Sequence, residues 1–183
     1  MELTFHIPVN DDITLVLLQP HHAEELFSLV DKNRQHLRQF LPWVDSNTQA
    51  EHTLAAINSG IKAHETKQEA FLGISIQGKI VGTVHLKEIN RTNNNAQIGY
   101  WLDESHQGKG IVTKSVAALI EYAFNTLKLH RLEIRCATEN PKSCAIPERL
   151  GFTREGVLRQ AGKLADGYVD LVVYGLLHDE WKR

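Results

Sequence analysis

The spacing of apolar residues changes several times along the chain, and each change marks an element. Ile13 to Leu18 is a short, mostly apolar run of strand length. Pro20 follows where a first helical turn tolerates it, and Ala23, Leu26, Phe27 and Val30 then share one helical face. A second short helix is predicted around residues 33–41, closed by Pro42. Thr48 with Glu51 reads as a capping box opening a helix that turns Leu54, Ile57 and Ile61 inward. Strand spacing returns at Ala70 to Ile76 and Ile80 to Leu86, divided by the tight turn Gln77-Gly78-Lys79. Residues 90–95 form a polar loop.

The stretch that follows organises the rest. From Ala96 to Leu102, the residues Ala96, Ile98, Tyr100 and Leu102 alternate with Gln97, Gly99 and Trp101. Apolar groups on both sides predict a strand covered on both faces. Residues 103–109 are polar, and Gly108 and Gly110 permit a tight turn. From Ile111 the period becomes helical, with Val112, Val116, Leu119, Ile120, Ala123, Phe124 and Leu127 on one stripe. Beyond it, Arg131 to Ala137 is a strand with Leu132, Ile134 and Cys136 on one face. Pro141 opens a helix that Gly151 stops, and a strand pair turning at Asp166-Gly167 ends the chain.

Composition narrows the class. A length of 183 residues with 42% apolar and 23% charged side chains fits one domain with room for a substantial core, and the strands and helices above, with no repeat or linker between them, make it one α/β domain spanning 1–183. A net charge of −2 leaves no footprint for nonspecific nucleic-acid binding. No apolar run reaches membrane-spanning length and no signal pattern opens the chain, so a cytoplasmic location is expected. Cys136 and Cys144 lack metal or disulfide-framework spacing, and the ten histidines include no HExxH pair, so no metal is expected.

Strand, glycine loop and helix together aim free backbone N–H groups at an anion, which suggests a pyrophosphate cradle. A plain strand-to-helix connection is the competing reading. The dinucleotide fingerprint fails at Thr113, and the phosphate-loop motif is absent. Gln107-Gly108-Lys109-Gly110-Ile111-Val112, however, resembles the Q/R-x-x-G-x-G/A loop of the GNAT acyltransferases, with Val112 where Gly or Ala is usual. The element order is similar to that family's, and AQIGYWLDESHQGKGI, ENPKSCAIPERLGF and YGLLHDEW resemble its RimJ/RimL branch, which acetylates N-termini of ribosomal proteins. The likeness is strongest from Ala96 to Phe152 and weakest in the N-terminal helices, which in such enzymes help form the acceptor groove.

The resemblance implies a twisted, mixed but mostly antiparallel sheet flanked by helices and splayed at its central strands. It implies acetyl-CoA as cosubstrate, with its diphosphate on the N–H groups of Gln107, Gly108, Lys109, Gly110, Ile111 and Val112. Lys109 and Lys114 either add charge there or are solvated surface lysines. The pantetheine arm would lie along Trp101 and Leu102, and a backbone N–H near Leu102 would face the thioester carbonyl. Asn140 and Ser143 match the N-x-x-S/A pattern whose Asn binds the pantetheine arm, although Asn140 also suits a helix cap. Pro147 stands where many members carry a proton-donating tyrosine, which leaves Ser143 to hydrogen-bond the leaving thiolate.

No base is evident. Gln97 and Gly162 occupy positions where RimL-like enzymes carry glutamates, and His85, Glu88, His106 and Glu139 remain as candidates. Neutralising an α-amino group at pH 7 costs about 1.4 kcal/mol, against about 4.6 kcal/mol for a lysine side chain. The expected acceptor is therefore a protein N-terminus. A small amine such as a polyamine or antibiotic is the alternative enzyme reading, and an idle acetyl-CoA-binding module is the non-enzymatic one. Cys136, beside the expected donor slot, reads either as a small core residue or as a thiol open to mixed disulfide with coenzyme A. An exposed strand edge near the late hairpin suggests a homodimer.

Overall fold

A computed structural model describes residues 5–182. Among them eight strands form one sheet: β1 (His6–Pro8), β2 (Ile13–Leu17), β3 (Ala70–Ile76), β4 (Lys79–Asn90), β5 (Asn95–Leu102), β6 (Arg131–Ala137), β7 (Thr153–Leu164) and β8 (Gly167–Leu177). Their spatial order is β1-β2-β3-β4-β5-β6-β8-β7. Every neighbouring pair is antiparallel except β5 with β6. The α-helices are α1 (Ala23–Lys32), α2 (Arg34–Leu37), α3 (Ala50–Glu65), α4 (Ile111–Glu121) and α5 (Pro141–Arg149).

Strand alternation sorts the apolar residues into two cores. On one face Leu72, Val84, Leu86, Ile98, Leu132 and Ile134 meet Val116, Leu119 and Ile120 of α4 and Ile146 of α5. On the other, Val16, Phe71, Ile80 and Trp101 meet Leu26 and Val30 of α1 and Ile57 of α3. Each large side chain that is fully enclosed, such as Leu119 or Phe124, contributes about 1.5–3 kcal/mol of apolar burial. The second core stops at β5, so the same face of β6, β8 and β7 has no helix over it.

Four local features differ from the sequence reading. The chain has an additional first strand, whose three residues are too short to show a period. Gln49, not Thr48, is the N-cap of α3, and no side chain caps it; the Thr48 N–H instead donates to His52 Nδ1 at 3.3 Å. Because His52 takes that N–H, Thr48 and Glu51 do not form the box. The central helix gives way to a π turn over Tyr122–Thr126, which moves Leu127 out of the buried stripe. β4 runs on to Asn90, and a bulge between Lys87 and Asn90 puts Glu88 at φ +55°.

The sheet also needs a glycine at one close approach. A Cβ on Gly82 would collide with the Trp101 carbonyl oxygen and lie 2.9 Å from Leu102 Cα. Both are backbone atoms and cannot rotate aside. Gly82→Ala is therefore expected to destabilise the fold by about 1–3 kcal/mol, read as a lower urea midpoint. An unchanged midpoint would mean that β4 and β5 separate freely here.

Candidate functional site

β5 and β6 pair only through Asn95 with Arg131, Ala96 with Leu132 and Gln97 with Glu133. Past Gln97 the strands part. β5 stays paired with β4 on its other side, through Thr83 with Trp101 and Gly82 with Leu102, and the Asp103 N–H donates to Val81 O at 2.8 Å. Peptide groups alternate along a strand, so those of Trp101 also turn to β4. Those of Tyr100 and Leu102 turn into the parting. The sequence placed both Trp101 and Leu102 at the slot; the ladder leaves Leu102 as the one with a backbone N–H open to it. The Trp101 indole sits in the second core, 6.4 Å between centroids from Trp43.

The loop after β5 is anchored by Asp103, whose side chain is 3% exposed. Its carboxylate accepts from Lys32 Nζ at 3.1 Å and Ser105 Oγ at 2.7 Å, and lies 3.0 Å from His106 Nδ1. Burial opposes its charge, but bonds from Ser105, Lys32, Asn33 and His106 outweigh burial and hold the carboxyl well below the usual range. His106, a candidate base in the sequence, is thus engaged here. Gly108 and Gly110 have φ of +77° and +71°, with no atom within 4 Å of where a Cβ would stand. That left-handed backbone suits glycine alone at little cost, and it leaves the volume before α4 open.

The N–H groups from Gly108 to Val112 have no acceptor among the described residues. Gln107 differs, since its N–H donates to Glu104 O at 3.2 Å. Its side chain is a strut: Nε2 lies 2.8 Å from His36 Nε2, and Oε1 accepts from Lys142 Nζ at 3.1 Å. The diphosphate donors expected from the sequence therefore reduce to five. Ile111 is buried and Val112 half-buried, and neither side chain affects the availability of its N–H. Lys109 Nζ donates to Ser105 O at 3.2 Å, and Lys114 is exposed.

At the base of the parting, Tyr100 reaches from β5 to α5, where its hydroxyl donates to Ser143 O at 2.9 Å. Ser143 Oγ lies 3.3 Å from Cys136 Sγ and 3.4 Å from the Tyr100 oxygen. Asn140 Oδ1 accepts from the Ser143 N–H at 3.1 Å, the N-cap bond of α5, with Pro141 in the first turn. Burial, with Cys136 close by, raises the Tyr100 pKa well above its usual value. Burial likewise pushes the Cys136 thiol up to about 11, so it is protonated and poorly nucleophilic at neutral pH. Sequence reasoning missed Tyr100. Its period placed it with Ile98 and Leu102, but no local signal announces a partner on a helix 43 residues away.

The opposite face shows what surrounds Gln97 and Gly162. A Cβ on Gly162 would crowd Val169 Cγ2 at 2.9 Å and Leu171 Cδ2 at 3.0 Å, so a longer side chain there requires those two to shift. Gln97 Nε2 donates to Glu88, which the bulge in β4 brings alongside. His85 Nε2 lies 3.0 Å from Glu69 Oε2. Glu133 is paired with Arg131 and Arg135, and Glu139 is exposed. Among the described residues no three His, Cys, Asp or Glu side chains gather to hold a metal, and no helix is long and apolar enough to cross a membrane.

The acetyltransferase (GNAT) domain family matches residues 12–153. The ribosomal-protein-serine acetyltransferase of Escherichia coli (strain K12) is 33% identical over 97% of this chain and 99% of its own. The structure of RimL, a ribosomal L7/L12 alpha-N-protein acetyltransferase bound to coenzyme A through a disulfide, superposes with a TM-score of 0.91 at 34% identity, covering 94% and 98% of the two chains. The Microcin C7 self immunity acetyltransferase MccE, in complex with acetyl-CoA and AMP, superposes with a TM-score of 0.88 at 34% identity, covering 92% and 94%.

Proposed function

The chain belongs to the GNAT acetyltransferase family and is an acetyl-CoA-dependent N-acetyltransferase, and from that premise we propose that its acceptor is the α-amino group of a protein N-terminus. The observation that carries the reading is the row of free N–H groups from Gly108 to Val112 beside the parting of β5 and β6. A diphosphate on that row has the helix dipole and five donors to hold it. Its pantetheine arm then lies along the unpaired edge of β5, next to Leu102. The Leu102 N–H stabilises the carbonyl oxygen as negative charge develops there.

The reaction joins an amine nitrogen to the acetyl carbon and breaks the bond from that carbon to sulfur. Tyr100 and Ser143 face the leaving sulfur. The thiolate of a thiol with a pKa near 8.5 is a weaker base than tyrosinate, and burial raises the Tyr100 pKa further, so full proton transfer from Tyr100 is uphill. The two hydroxyls act by hydrogen-bonding the thiolate, and the proton that ends on sulfur comes from the attacking nitrogen. Asn140 presents Ser143 by capping α5, with its amide nitrogen left to meet the arm.

The α-amino acceptor is supported by ribosomal-protein relatives and by the cost of neutralising a lysine. MccE bound to AMP favours a second reading, a small adenylate-bearing amine. Release of coenzyme A thiol decides between them. A peptide with a free N-terminus is expected to react about 200-fold faster at pH 7 than an Nα-blocked peptide containing lysine, the ratio set by the pKa difference. Equal rates, or faster modification of the blocked peptide, would exclude the N-terminal reading. Turnover confined to small amines, adenylate-bearing or polyamine, would support the small-molecule one.

A further inference from the structure

We infer that His85, held by Glu69, is the general base that takes a proton from the acceptor amine, directly or through one water; the inference rests on the N-acetyltransferase reading above. Three placements lead to it. Gly99 is the second residue beyond Gln97, where β5 leaves β6, and a Cβ there would meet no atom within 4 Å. That hollow opens on the face that α4 and α5 do not cover, the side from which nitrogen can approach a thioester lodged in the parting. Directly across the ladder from Gly99 is His85. Paired residues project to the same face with Cβ positions about 5 Å apart, so the imidazole stands at the edge of the hollow.

The ring is organised as a base. Nε2 is engaged with Glu69 Oε2 at 3.0 Å, which puts the proton of the neutral ring on Nε2 and leaves the Nδ1 lone pair without a partner among the described residues. Phe71 flanks the ring at 5.2 Å between centroids. Burial lowers the ring pKa, with Glu69 opposing that and Lys87 adding to it, so the neutral ring predominates at pH 7. Phe71, Gly99 and Gln97 bring no charge. Once Nδ1 gains a proton, Glu69 stabilises the imidazolium, the role a carboxylate plays behind a catalytic imidazole. The nearby carboxylates are spoken for: Glu88 by Gln97, and Glu133 by Arg131 and Arg135.

The proton count closes. The acceptor enters as an ammonium, and His85 Nδ1 takes its first proton. The nitrogen lone pair bonds to the acetyl carbon. As the carbon–sulfur bond breaks, the second nitrogen proton passes to sulfur, leaving an N-acetyl amide and free thiol, and His85 releases its proton to water.

The test is the pH profile of kcat/KM for the full chain and His85→Gln, with any amine that the wild type acetylates. The wild type should hold a plateau from its lowered imidazole pKa up to the amine pKa near 8, and lose activity as pH falls through the former. His85→Gln should fall about 100-fold at pH 7, yet by less than about tenfold at pH 9, where the amine is already neutral. A deficit equal at every pH, or none, would overturn the assignment. Unchanged affinity for coenzyme A confirms that the variant is folded. Should it not fold, NMR titration of the wild-type His85 ring decides: a midpoint below 6.5 supports the base, and one above 7 removes it. The acceptor class is read separately, from which amines the wild type turns over.

Discussion

Gly110→Val should weaken coenzyme A binding about 100-fold, roughly 2.7 kcal/mol, while leaving the protein folded. Gly110 is the N-cap of α4 at φ +71°, ψ +8°. A β-branched residue is disfavoured in that conformation by about 1–3 kcal/mol, so the loop turns away and re-aims the N–H groups that follow. Nothing packs against the glycine, so a Cβ there disturbs no core and enters only the open volume before the helix. Loss of one or two charge-assisted bonds, at about 1.5–3 kcal/mol each, accounts for the magnitude. Calorimetry with coenzyme A measures it. Acetylpantetheine, which lacks the diphosphate, serves as comparison: its turnover should change far less. Equal losses for both donors would mean that the loop does not grip the diphosphate.

The second large effect concerns the leaving group. Tyr100→Phe is expected to lower kcat about 10- to 100-fold, with KM for acetyl-CoA changed by less than about threefold, because a hydrogen bond to a developing charge is worth about 1.5–3 kcal/mol. The bond matters only once sulfur carries charge, so ground-state affinity is spared. Ser143→Ala should show the same pattern, and the double variant should fall short of the product of the two, since both hydroxyls belong to one cluster. The phenol also ties β5 to α5 through Ser143 O, so the variant's thermal midpoint is needed as a control. A rise in KM with kcat unchanged would assign Tyr100 to binding rather than to departure of the thiolate.

Legibility in the sequence followed the range of the interactions. The central strand, the loop and α4 were readable because their signals lie within a few residues of each other: alternation, two glycines and a stripe at helical spacing. Arg131 to Ala137 was bounded to the residue for the same reason. Thr48 misled because a capping motif competes with other local bonds, and His52 supplies one. Gln97 and Gly162 looked like two missing carboxylates. Only packing showed what surrounds them, Val169 and Leu171 at Gly162 and, through a bulge, Glu88 beside Gln97.

By itself, then, the sequence determined the order of elements, the glycine turn before α4 and the likeness to one acetyltransferase family, all of which depend on residue spacing along a single stretch of chain. Tertiary structure alone decided where β5 leaves β6, which strand edge is bare, and that Tyr100 meets Ser143 while His85 meets Glu69. Those contacts join residues 16 to 43 positions apart, and which partners meet depends on register and side-chain packing, which no local pattern of apolar and polar residues encodes.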